Sequence, residues 1–208
     1  NLRRHMLAVE ASMAKYWEYF SSEGLIEVAP KKSYLASWST STPTKSDPTG
    51  FGRTGEFLQS KNSGPSEEDW RIVGLLHDFD WEIHPTLEEH PQKGEAILEK
   101  EGLAENLRRA ILSHAEHTGV SRENLMEKAL FAVDELSGLI VAVALMKGRK
   151  LENVAVESVL KKFKQKAFAA GVNRQDVEQG AKDLGVSLEK HVEIVLEGMK
   201  KAAPELGL

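Results

Sequence analysis

The chain has 208 residues, 41% hydrophobic and 28% charged, enough for one domain with a real core and short for two full ones. Its net charge of −5 excludes a broadly basic nucleic-acid binder, because phosphate binding relies on clustered Lys and Arg, so no nucleic-acid polymer is expected as a partner. It has no cysteine and seven histidines, which excludes disulfides, iron–sulfur clusters, Cys-type zinc sites and a thiol nucleophile and leaves any transition-metal site to His with Asp or Glu.

Residues 2–20 read as a helix, since Leu2, Met6, Val9, Met13, Tyr16, Trp17 and Phe20 recur at three- and four-residue spacing, and Gly24 stops it. Arg3 and Arg4 open this helix, but Glu10 and Lys15 break the apolar stretch after them, so no signal peptide is expected; the lack of cysteine fits a cytoplasmic location. Residues 29–66 change character. Twenty-one of these 38 residues are Ser, Thr, Gly or Pro, which predicts a long irregular insertion or flexible loop. Tyr34, Trp38, Phe51, Phe57 and Leu58 are apolar enough for part of it to pack. Beyond it the pattern is helical. Ser66-Glu-Glu-Asp opens a helix through Leu76, with acidic residues where the dipole favours them. Pro91 begins a helix to about Lys100, ended by Gly102, and 104–115 form another. Ser121 caps a long helix, Arg122 to Met146. Its longest uninterrupted apolar run, Leu139 to Met146, is far below the roughly 18 to 20 residues of a membrane span, so none is expected. Further helices are expected at 155–169, at 174–184 with Asn173 as N-cap, and at 187–202. No segment alternates with period two and no fixed repeat is visible. The expected fold class is therefore all-α, one domain over residues 1–208.

His77-Asp78 is the first anomaly. It follows Ile72-Val73-Gly74-Leu75-Leu76, an apolar run that should be buried, and unpaired buried charge is costly. A metal ion relieves that cost by pairing the carboxylate and taking the neutral imidazole; alternatively the doublet reaches solvent at a helix end. Asp134 is the second anomaly, a carboxylate on a helix apolar on most sides, calling for a metal, an Arg or backbone donors. His5 shares a helical side with Val9 and Met13, where a lone His is ordinarily a satisfied core residue. His90, before Pro91, and His114, ending an amphipathic helix, each read alone as polar helix-end residues, and His84 and His191 read as surface residues.

The order His5, His77-Asp78, His90, His114, Asp134 resembles the HD-domain superfamily of all-helical metal-dependent phosphohydrolases, defined by a separated His, a His-Asp doublet and a later Asp. Leu75-Leu76-His77-Asp78 looks like the family's apolar lead into the doublet, and the segment from His90-Pro91 through Gly94 to Ile97-Leu98 is similar to one found in its dinuclear branches. Ile111 to His117 resembles the stretch that brings the next ligand, and the likeness, covering 1–28 and 67–208, extends to Lys161 through Arg174. Residues 29–66 depart from the family's much shorter link.

The resemblance implies an HD helical bundle with the insertion after its first helix. It implies that His5, His77, Asp78 and Asp134 bind one metal, that His90 and His114 bind a second, and that Asp78 bridges them. One or two divalent ions among Mn, Fe, Co, Ni and Zn suit such ligands. The implied reaction is hydrolysis of a phosphoester of a small molecule, a nucleotide among the options, by a metal-bound hydroxide. Asp78 and His117 are the catalytic candidates, His117 as donor to a leaving group one turn from His114. Lys93, one turn after His90, with Lys166 and Arg174, are candidates for substrate phosphate, against the plainer readings of solvated Lys and first-turn Arg. Asp80 and Trp81 either line the pocket mouth or, for Trp81, pack. A mixed-valent di-iron oxygenase of the same superfamily would use the same ligand types, and a non-catalytic HD ligand-binding module is the rival outside enzymes. The Gly-Tyr-Pro motif of the cyclic-dinucleotide phosphodiesterases is absent.

Overall fold

The computed structural model describes residues 2–27 and 64–208, so the insertion expected at 29–66 lies outside the described residues except for its last three. Among the described residues there are nine α-helices and no strand. They are α1 (Leu2–Ser22), α2 (Glu67–Leu76), α3 (Gln92–Lys100), α4 (Glu105–Ser113), α5 (Leu125–Met146), α6 (Val156–Phe163), α7 (Arg174–Asp183), α8 (Leu188–Lys201) and α9 (Ala203–Leu206).

The sequence of α5 is apolar around most of its circumference, and a helix of that kind can only be satisfied inside the fold. It packs against α1, α2, α4, α6, α7 and α8. Its length and apolarity over 22 residues suffice to cross a membrane, which the shorter run Leu139–Met146 does not reveal. In this fold its apolar faces are covered by the surrounding helices, and Leu130, Leu136, Leu139 and Ile140 are fully buried.

α5 begins three residues later than expected. Asn124, not Ser121, is the N-cap; its side chain accepts from the Glu127 amide, and the Glu127 carboxylate accepts from the Asn124 amide in return. Ser121 instead gives its carbonyl to Arg109. α6 is shorter than the expected 155–169. The chain leaves helical geometry after Phe163, and Arg174 draws the carbonyls of Phe168, Ala169 and Val172 around its guanidinium. Pro204 follows the end of α8 at Lys201 and sits in the first turn of α9, where its missing N–H would be unpaired anyway. The caps Ser66 and Asn173 stand where the sequence puts them.

Two close backbone approaches set the helices around α5. A Cβ on Gly74 would lie 2.9 Å from Glu10 Cα, so α2 rests directly on α1. A Cβ on Gly180 would lie 2.6 Å from Ala132 Cα, so α7 rests on α5. His191 departs from its expected surface position. It is fully buried on α8, where its Nε2–H donates to the Ala132 carbonyl at 2.9 Å and its Nδ1 accepts from the Tyr16 hydroxyl. Two polar ring atoms inside a core are tolerated because both are paired.

Candidate metal centre

The six residues expected as ligands come from five places in the chain and meet at one point. His5 projects from the first turns of α1. His77 is the residue capping the C-terminus of α2, and Asp78 follows it. His90 leads into α3, His114 caps the C-terminus of α4, and Asp134 sits in the middle of α5. The C-terminal ends of α2 and α4 carry the negative poles of their dipoles, which favours a cation between them. The contact of α2 with α1 through Gly74 is what brings His77 beside His5.

The ring orientations are fixed from behind. His77 Nδ1 lies 2.8 Å from the Gly74 carbonyl, and His114 Nδ1 contacts the Ile111 carbonyl. A carbonyl only accepts, so both Nδ1 atoms carry a proton and both Nε2 atoms face the centre, where each offers a lone pair once it is deprotonated. His90 reaches the same tautomer through Asp80, whose Oδ1 lies 2.7 Å from Nδ1.

The donor atoms form two groups, either of which can hold a metal ion: His5, His77 and Asp134, and Asp78, His90 and His114. His5 Nε2 lies 3.1 Å from His77 Nε2 and 2.9 Å from Asp134 Oδ1. His90 Nε2 lies 3.4 Å from His114 Nε2. Asp78 divides its carboxylate between the two groups. Oδ2 is 3.5 Å from Nε2 of both His5 and His77, while Oδ1 is 3.2 Å from His90 Nε2 and 3.7 Å from His114 Nε2. His77 and the rings of His90 and His114 are buried, whereas the side chains of His5, Asp78 and Asp134 keep 27%, 19% and 25% exposure. The centre therefore opens to solvent on the side of the carboxylates and His5.

The electrostatics call for positive charge. Burial pushes the Asp78 carboxyl up, but His77 foremost, with His90 and His114, outweighs it and holds the group well below the usual carboxylate range. Asp134 is likewise raised by burial and brought far below its usual range by His5 and His77. Burial disfavours the His77 imidazolium, yet Asp78 and Asp134 hold its pKa well above the ordinary value. His114 goes the other way. Burial, joined by the charge of His77, lowers it to about 4. Ring nitrogens 3.1 and 3.4 Å apart need a proton or a cation between them, and nitrogen and carboxylate donors of this kind suit borderline divalent ions.

The remaining candidates lie around this centre. His117 Nε2 donates to the His90 carbonyl at 2.8 Å. That nitrogen braces the chain at His90, so a proton passed to a leaving group would have to leave from Nδ1. Lys93 is exposed and ion-paired with Glu89. Lys166 is exposed in the turn after α6. Arg174 spends its two terminal nitrogens on the carbonyls of the 168–172 turn. None of these three hydrogen-bonds or ion-pairs with the six clustered residues. Trp81, 37% exposed, stands edge-on to the His90 ring with centroids 4.9 Å apart. Asp80 does not line the mouth. It is fully buried behind His90. The signal for that is slight, an acidic residue in the alternation His77-Asp78-Phe79-Asp80-Trp81.

No family model, curated protein or solved structure matches this chain.

Proposed function

We propose that the chain is a metal-dependent phosphohydrolase of the HD-superfamily type, acting on a small phosphorylated compound. The observation that carries this reading is the divided carboxylate of Asp78, one oxygen toward His5 and His77 and the other toward His90 and His114. His5, His77, Asp134 and Asp78 Oδ2 would hold one divalent ion, and His90, His114 and Asp78 Oδ1 a second. Such a pair supplies an activated water at neutral pH and a clamp on phosphoryl oxygens. The chain supplies the rest. Gly74, Ile111 and Asp80 hold three imidazoles in the tautomer that presents Nε2. Buried His77 and His114 close the rear of the centre, so water and substrate approach from the side of Asp78, Asp134 and His5.

The test is metal analysis of the purified protein followed by a panel of small phosphoesters on the same sample. Two divalent ions per chain and turnover of a phosphoester are expected, with both lost in Asp78→Ala. Full retention of metal or activity in that variant overturns the reading. Iron together with O₂ consumption would replace hydrolysis with oxygenase chemistry, and absence of metal after expression in supplemented medium would favour a non-catalytic binding module.

A further inference from the structure

We propose that Asp80 is a positioning residue for one half of this centre: its carboxylate fixes His90 as an Nε2 ligand and lends negative charge to the ion held by His90 and His114, and to that ion only. The inference rests on the two-ion reading of the centre. Three observations carry it.

The first is the contrast among the rings. His77 and His114 are held at Nδ1 by neutral main-chain carbonyls, whereas His90 is held by a carboxylate at 2.7 Å. A carboxylate behind an imidazole makes its far nitrogen a more basic ligand, the carboxylate–histidine–metal arrangement of many metal sites. The second is cost. Asp80 is fully buried, and its Oδ2 has no hydrogen-bond partner among the described residues. An unpaired buried acceptor is expensive, and a main-chain carbonyl, as used behind His77 and His114, would fix the His90 tautomer without that expense. What only the carboxylate brings is charge. The third is the space made for it. A Cβ on Gly94 would lie 2.5 Å from both Cγ and Oδ2 of Asp80, so α3 passes the carboxylate with no side chain at that point. His117 on the His90 carbonyl and Trp81 on the ring edge complete the support around His90.

The experiment compares wild type with Asp80→Asn, which keeps the shape and an acceptor oxygen and removes the charge. Mn(II) binding is followed by calorimetry and by electron paramagnetic resonance, which separates an isolated ion from a coupled pair. Wild type should bind two ions. In Asp80→Asn the first should bind within about threefold of wild type and the second about 10- to 100-fold more weakly, with the isolated-ion spectrum persisting to higher Mn(II). Unchanged affinity for the second ion, or equal weakening of both, overturns this inference while leaving the two-ion centre standing. Fewer than two ions on the wild type overturns the centre itself and the inference with it. If Asp80→Asn does not show the wild-type circular dichroism, Asp80→Ser, with less bulk in the same space, is held to the same selective loss.

Discussion

Acid should weaken this fold through a residue outside the candidate metal centre. His191 is buried with both ring nitrogens engaged, donating to Ala132 and accepting from Tyr16. A proton added at Nδ1 would turn the acceptor of the Tyr16 bond into a second donor and place a charge in the core. Burial accordingly lowers the His191 pKa to about 4, against about 6.5 in an unfolded chain. Because the unfolded chain binds this proton more tightly, the contribution of His191 is intact above about pH 6.5 and is lost as the pH falls toward about 4. At about pH 5 the unfolded chain has gained roughly 1.5 pH units of protonation that the folded chain lacks, and at about 1.36 kcal/mol per unit the loss is about 2 kcal/mol. Urea denaturation of wild type and His191→Gln at about pH 7.5 and about pH 5, both with chelator, measures it. Glutamine does not titrate, so its own cost is common to both pH values and cancels. The gap between wild type and variant should shift by about 2 kcal/mol in the variant's favour on acidification. An identical pH dependence for both proteins would refute the reasoning.

Three further perturbations probe the centre and its frame. Chelation should lower the thermal midpoint of the metal-loaded wild type, since an ion present at about 100 times its Kd stabilises by about 2.7 kcal/mol; Asp78→Ala should show no such drop, and an equal drop would place the metal elsewhere. Gly94→Ala puts a methyl 2.5 Å from Asp80 Cγ, which forces the carboxylate off His90 by about 1 Å, given ordinary carbon contact distances. Calorimetric Mn(II) titration should then show loss of one ion before the other, and unchanged uptake of both would mean that Asp80 has room the geometry denies it. Glu127 is buried, caps the start of α5 and pairs with Arg109. Glu127→Ala should cost about 3 kcal/mol in urea denaturation by removing the cap and leaving Arg109 less well paired; a loss of only about 1 kcal/mol would show that Glu123, the other partner of Arg109, carries the pairing alone, and a loss near zero would refute both contributions.

The helical character of the chain is legible because apolar residues recur at helical spacing wherever a face must be covered. Boundaries are less so. Ser121 and Asn124 are both acceptable caps by composition, and only the Glu127 carboxylate, reaching back to the Asn124 amide, selects the second. Likewise 164–172 keeps a helical distribution of residue types, while the carbonyls gathered by Arg174 hold it in turns. His191 reads as a surface residue because its neighbours Glu189, Lys190 and Glu193 are charged, and the pairing that lets it be buried involves Tyr16, far away in sequence. At the centre, the convergence of His5 with His77 and Asp134 is visible only through the order of residue types along the chain. On periodicity alone His5 belongs to a core stripe. Asp80 is out of reach for a different reason. It lies in the turns between α2 and α3, where no period exists to say which way a side chain points.

The midpoint of α5 carries a consequence of another kind. Read without its neighbours, α5 is a bilayer-length apolar helix, and the adjacent acids Asp134 and Glu135 fall at its centre. An aspartate at the centre of an inserting helix costs about 2.5–3.5 kcal/mol. The carboxylate that faces His5 and His77 in the finished fold thus also opposes entry of the bare helix into lipid during the interval before α1, α4, α7 and α8 have closed around it. Neutralising Asp134 would therefore act at two stages of the protein's life, on the centre once it is assembled and on the path by which its most apolar helix reaches it.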